Sequence, residues 1–208
     1  MPMPEENQTK RTNEQRSAET RSALVNAAID CIWNFGYQKA TVTAITRRAN
    51  NTSGAIQHHF GSKDELILAT LDQLLEELKE TFNSAANIEG PLPLKCQKLV
   101  KSLWDNFYGR PRYMVTWQIF SGSQSNKELH SKVLAHRTKS IAECEKIWRT
   151  VFPTSLGNQN RSMDVLHFML SFMRGAVHYD EINGSSELVS RQLELLSTSL
   201  TNALQKIE

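Results

Sequence analysis

The sequence predicts an all-α protein of about nine helices, arranged as a small N-terminal three-helix unit followed by a larger helical domain. Three observations carry this. Apolar residues recur at intervals of three and four along most of the 208-residue chain, and no run alternates apolar with polar residues as strands do. Capping and stop residues interrupt the pattern at helical lengths. Near the N-terminus, two segments long enough for only two turns each flank Asn50-Asn51-Thr52, whereas later segments leave room for long helices.

The elements follow in order. Leu24, Ala28, Cys31 and Phe35 are spaced by four, three and four, and Gly36 stands where a helix turns left-handed and stops. A short helix carries Val42, Ile45 and Ala49 on one side, with Thr41 suited to cap it. A second short helix, Ser53–Phe60, is capped by Thr52 and ended by Gly61. Ser62 and Glu65 have the spacing of a capping box and open a helix bearing Ile67, Leu71, Leu74, Leu78 and Phe82 on one face. Breaks around residues 90–93, 109–111, 121–126, 153–160 and 183–186 separate five further helices. The expected division is a polar arm over residues 1–16, a three-helix unit over 17–62 and a larger domain over 63–208.

Composition excludes several classes. With 39% hydrophobic and 22% charged residues, nine Gly and six Pro, the chain is neither collagen-like nor disordered over long spans. Cys31, Cys96 and Cys144 are odd in number and far apart, as in reduced, buried thiols. No apolar run approaches the about 18 residues of a membrane span, and the polar N-terminus lacks the apolar core of a secretory signal. The cytoplasm is the expected compartment, without membrane association. Residues 1–63 hold eight basic and five acidic side chains, a net +3, and the remaining sixteen basic and seventeen acidic give −1. The excess is slight, and solvated helix faces account for it as well as nucleic acid does.

Residues 41–63 are the informative stretch. Two helices this short are unstable alone. Packed on the preceding helix, they form the unit that places a recognition helix in the DNA major groove. The turn between them needs a residue that tolerates positive φ, and Asn50 is the next choice after Gly. On the second short helix, Gly54 and Ala55 are small and outward by the period, permitting close approach to a base edge, while Ile56 and Phe60 face inward. Gln57 and His58 share the outer side.

Gly36-Tyr37 before Ala40-Thr41-Val42, with Ala55-Ile56-Gln57-His58-His59-Phe60-Gly61-Ser62-Lys63-Asp64-Glu65-Leu66, resembles the signature of TetR-family regulators over residues 18–70. The resemblance implies a sequence-specific, DNA-binding transcriptional regulator, a homodimer on a palindromic duplex operator, with repression relieved by a small molecule. It also implies roles by position. Thr41 and Thr52 would meet phosphates; Ser53, Gly54, Ala55, Gln57 and His58 would lie at base edges; His59 and Lys63 would reach flanking phosphates. Arg47 and Arg48 would add to the electrostatic attraction. Gln57 replaces the family's usual Tyr, and Asn50-Asn51 its usual Gly-hydrophobic pair. The arm residues Lys10, Arg11 and Arg16 suit either contact with the duplex or a solvated tail.

Residues 87–160 are rich in large aromatics. By the same resemblance, Trp104, Phe107, Tyr108, Trp117, Gln118 and His136, with Phe172, would line a cavity for an apolar or aromatic effector; filling an ordinary core is the competing role. In the last two helices, Met163, Leu166, Leu170, Met173 and Val177, then Val189, Leu193, Leu196 and Leu200, form seams of alternating three and four. The penultimate helix is also apolar on its other side, at Val165, Phe168, Phe172, Ala176 and Tyr179, and a two-helix patch paired across a two-fold axis gives a four-helix dimer interface. No cofactor or metal site is expected: His58 and His59 are adjacent and diverge by about 100° on a helix. No catalytic signature is present, which argues against an enzyme. The alternative is a helical ligand-binding or adaptor protein that no longer reads DNA, supported by Gln57 and the Asn turn. Activation in place of repression stays open, since operator position decides it.

Overall fold

The computed structural model describes residues 12–86, 88–153, 158–184 and 186–207. Among these it has nine α-helices and no strand. The chain divides into two compact units, Met1–Thr70 and Leu71–Glu208.

In the first unit, α1 (Asn13–Phe35) opens on a capping box: Thr12 Oγ1 accepts from the Gln15 amide at 3.2 Å, and Gln15 Oε1 accepts from the Thr12 amide at 2.9 Å. Residues 13–16, expected to belong to the arm, are therefore helical, while Lys10 and Arg11 lie outside the described residues. Helix α1 buries Leu24, Ala28, Cys31 and Ile32; Phe35, at the end of the same sequence stripe, is exposed. Gly36 stops the helix at φ 83°, a conformation costly for any side chain. Helices α2 (Val42–Arg48) and α3 (Ser53–Phe60) both pack on α1 and on each other. At seven and eight residues they are well below the about 12–15 that an isolated helix needs, so packing holds them. Ile45 and Ile56 are each at most 3% exposed, and burying one isoleucine contributes about 1.5–3 kcal/mol.

Helix α4 (Lys63–Ala86) starts where expected, the Ser62 hydroxyl accepting from the Glu65 amide at 3.1 Å. Its first turns bury Leu66 and Ile67, and the two compact units divide between Thr70 and Leu71.

The second unit continues with α5 (Leu92–Leu103), α6 (Pro111–Gly122), α7 (Lys127–Val151), α8 (Gln159–Asn183) and α9 (Ser186–Gln205). Between α5 and α6 the backbone widens into a π-turn over Trp104–Tyr108. Helix α5 lies along α9, and α9 along α8. Their core includes Phe82 of α4, Leu103 of α5, Trp148 of α7, Met173 of α8 and Leu200 of α9. The Trp148 indole N–H donates to Ser162 Oγ at 2.9 Å with both residues buried, so the one polar atom of this large side chain is satisfied.

The seams of α8 and α9 are mostly buried within their own chain. Leu166, Leu170, Met173, Val177, Val189, Leu196 and Leu200 are at most 6% exposed, and Met163 and Leu193 pack partly buried against the same core. Within the chain most of this seam is thus buried, while Met163 and Leu193 keep partial exposure. The exposed apolar residues of these helices are Phe168, Tyr179 and Ile182 on α8 and Leu195 on α9, up to 80% exposed at Ile182. A helix apolar on two sides buries the more continuous one inside its own fold.

Candidate nucleic-acid interface and interior cavity

The first unit holds the expected short-helix pair, and its turn is well defined. Asn50 has φ 50°, the one positive φ outside glycine among the described residues. The Asn51 amide donates to Thr46 O at 2.9 Å and the Asn50 amide to Arg47 O at 3.3 Å, the two bonds of a Schellman motif with asparagine at the left-handed position. Asparagine tolerates that conformation better than other side chains, and the turn closes without glycine.

Helix α3 then presents two different sides. Ile56 is buried toward the unit, while Ser53, Gly54, Gln57 and His58 are exposed and Ala55 is partly so. The ridge is low: a Cβ added at Gly54 would meet only Thr52 Oγ1, at 3.7 Å. Thr52 precedes the helix exposed, with no cap bond from its hydroxyl, whereas the Thr41 hydroxyl accepts from the Ala44 amide at 3.2 Å and caps α2. The His58 and His59 rings meet edge to face at 4.7 Å. Desolvation lowers the His59 pKa, aided by the adjacent His58 and by Arg21.

The cations divide. Arg47 is exposed; Arg48 donates to Asp30 Oδ2 at 2.9 Å, tying α2 to α1. Lys63 is half-buried with its ammonium 5.5 Å from the Tyr37 ring centre. Arg21 was not singled out in the sequence. From α1 its guanidinium donates to His59 O at 3.0 Å and lies 4.4 Å from the Phe60 ring centre, bracing the end of α3. Its only sequence signal is a basic residue three before the buried stripe begins at Leu24.

In the second unit, a cavity of about 210 Å³ is walled by α4, α6, α7, α8 and the π-turn. Of the seven expected residues, Phe107, Tyr108 and Trp117 line it. The other four do not. His136 is hydrogen-bonded to Asp72 in a separate polar groove, Trp104 borders a groove with Leu193 and Glu194, Gln118 is absent from the wall, and Phe172 packs against the core. The reason is helical phase: one residue turns a side chain by about 100°, so Trp117 enters where Gln118 does not, and Arg137 enters where His136 does not. Sequence reading missed Arg137 and Arg174, while Tyr113 and Phe120, from the aromatic-rich stretch, line the same wall. Val133, Arg137 and Ile141, spaced by four on α7, were the available signal, since they set an arginine in line with an apolar face.

The first unit is a compact helix-turn-helix with one side of α3 exposed, and the second is a helical unit with a cavity. Residues 24–70 match the family model described as bacterial regulatory proteins, tetR family. Residues 24–70 are thus similar to the N-terminal domain of TetR-family regulators. An uncharacterized HTH-type transcriptional regulator of Mycobacterium tuberculosis is 39% identical over 72 residues, 35% of this chain and 37% of that protein. The HTH-type transcriptional regulator BetI of Stenotrophomonas maltophilia is 42% identical over 60 residues, 29% of this chain and 31% of its own length. The chain thus spans about a third of the length of these curated relatives. Likeness of fold extends further. A TetR-family transcriptional regulator of Streptomyces coelicolor superposes with a TM-score of 0.67 at 19% identity, covering 90% of this chain and 96% of that one. FadR of Bacillus subtilis, solved in complex with stearoyl-CoA, gives 0.64 at 16%, covering 88% and 96%. Among the described residues, no helix is long and apolar enough to cross a membrane.

Proposed function

We propose that this protein is a transcriptional regulator that binds a palindromic operator as a homodimer and is released by a small-molecule effector. The observation that carries the reading is the outer side of α3: Ser53, Gly54, Gln57 and His58 stand exposed on a helix whose other side is anchored by buried Ile56. Exposed side chains on a short, anchored, low-profile helix suit hydrogen bonding to base edges. Thr41, Thr52, Arg47, His59 and Lys63 flank that surface and suit phosphates. Arg48, held by Asp30, contributes mainly to the long-range field.

The two-fold partner is assigned to the exposed side of α8 and α9 around Phe168, Tyr179, Ile182 and Leu195. Two copies on one operator set their recognition helices roughly 34–36 Å apart, one turn of DNA. The effector is assigned to the cavity. Helix α4 supplies Leu71, Leu75 and Leu78 to its wall and contains no Pro or Gly from Lys63 to Ala86. A coupling of about 1–3 kcal/mol is enough for induction.

Selection of bound duplexes from a random pool tests the proposal. The expected product is a two-fold symmetric consensus bound with salt-sensitive affinity. On it, Lys63→Ala should weaken all sequences alike, and Gln57→Ala should alter preference at one position per half-site. Recovery of no consensus, or no affinity for duplex at low salt, overturns the reading in favour of a ligand-binding protein that does not read DNA.

A further inference from the structure

The cavity is chemically lopsided. Its wall is largely apolar and aromatic, including Leu71, Leu75, Phe107 and Trp117, yet two guanidinium groups, Arg137 and Arg174, belong to the same wall. No Asp or Glu lines it, and neither arginine is ion-paired with a carboxylate among the described residues. Arg174 hydrogen-bonds the buried Tyr108 hydroxyl, a neutral partner whose pKa burial drives strongly upward. Arg137 of α7, an exposed residue whose guanidinium carbon lies 5.9 Å from the Phe120 ring centre, borders the same space. Its pKa is lowered, first by burial and then by the charge of Arg174. Two like charges facing one small apolar space repel each other, and the arrangement is relieved when an anion enters between them.

The backbone supports the same place. The π-turn Trp104–Tyr108 interrupts the regular helix where it delivers Phe107 and Tyr108 to the wall. Such insertions cost regular hydrogen bonding and concentrate at functional sites.

Taking the cavity as the effector site proposed above, we infer that its ligand is a small amphipathic anion: a carboxylate held by Arg137 and Arg174, on a compact aliphatic or aryl body lodged against the leucines and aromatic rings. The guanidinium fork matches a carboxylate bidentately, and the pair supplies charge that a purely apolar effector would leave unused. A volume of about 210 Å³ lies below the about 300–1,000 Å³ of drug-sized sites, which favours a short body over a long chain.

The test uses the full-length protein without DNA, so it stands apart from operator binding. Calorimetric titrations compare octanoate and 4-phenylbutyrate with octan-1-ol, octylammonium and octyl phosphate. The expected result is that the carboxylates bind about tenfold or more tightly than the alcohol, that octylammonium does not bind, and that added salt weakens the carboxylates. Arg137→Gln and Arg174→Gln should each reduce carboxylate affinity about tenfold while sparing the alcohol. Because Arg174 is partly buried, Arg137→Gln carries the test if the other variant misfolds. Octanol binding as tightly as octanoate, octyl phosphate displacing all carboxylate preference, or no carboxylate binding at millimolar concentration overturns the inference. A symmetric operator consensus survives each of those outcomes; failure to find one leaves the anion preference intact.

Discussion

Gly54→Ala separates what helix α3 needs for folding from what it needs for its proposed contact. Gly54 is the second residue of α3, exposed, with an α-helical backbone. An added methyl group would meet Thr52 Oγ1 at 3.7 Å, ordinary van der Waals contact, and nothing closer. Folding therefore has no steric reason to resist alanine. Glycine in a helix costs about 0.5–1 kcal/mol relative to alanine, and in the first turn the lower figure applies. The variant should thus gain roughly 0.5 kcal/mol, or about 1–2 °C in melting temperature for a chain of this size. Operator binding should move the opposite way. If the ridge lies against base edges, a methyl there displaces contacts worth about 1–3 kcal/mol, a loss of roughly 5- to 150-fold. Urea unfolding followed by circular dichroism gives the first number, and fluorescence anisotropy on the selected duplex gives the second. A variant that is more stable and binds its operator as tightly as the parent refutes the placement of this ridge in the groove. A variant that is less stable refutes the reading of Gly54 as sterically free.

Three further outcomes follow from particular contacts. Asn50→Gly should leave stability within about 0.5 kcal/mol of the parent, whereas Asn50→Val should lose about 1–2 kcal/mol, because valine must hold φ 50°; equal urea midpoints would show that the turn rearranges. Desolvation, then His58 and Arg21, lower the His59 pKa from its ordinary value, which favours the neutral ring in the free protein. A nearby phosphate favours the imidazolium, so binding takes up a proton and operator affinity should rise as pH falls from about 7 to 5, a slope that His59→Gln should flatten; a pH-independent parent would remove His59 from the phosphate contacts. Ser162→Ala should cost about 1–3 kcal/mol by leaving the buried Trp148 N–H without its acceptor, measured by urea unfolding; a loss below a few tenths would mean another acceptor replaces it.

Much of this protein was written locally. The short helices, their Thr41 and Ser62 caps, the stop at Gly36 and the left-handed Asn50 all depend on neighbours within about five residues, and such features obey rules of spacing and φ that a linear sequence displays. For the same reason the exposed side of α3 was legible: on a two-turn helix, one buried isoleucine determines which residues face out. What tertiary structure alone decided were matters of which surface meets which. The α8 and α9 seams suggest a dimer interface, but apolar periodicity marks a side that must be covered without saying by what; within the chain most of those residues are buried, and Phe168, Tyr179 and Ile182 stand outside. The cavity likewise turned on angular phase over long helices, where one residue changes the wall, so Arg137 replaced His136 and two guanidinium groups with no carboxylate partner among the described residues line one wall from α7 and α8. Separated by 37 positions in the chain, those charges meet only because the helices that carry them pack around one apolar space.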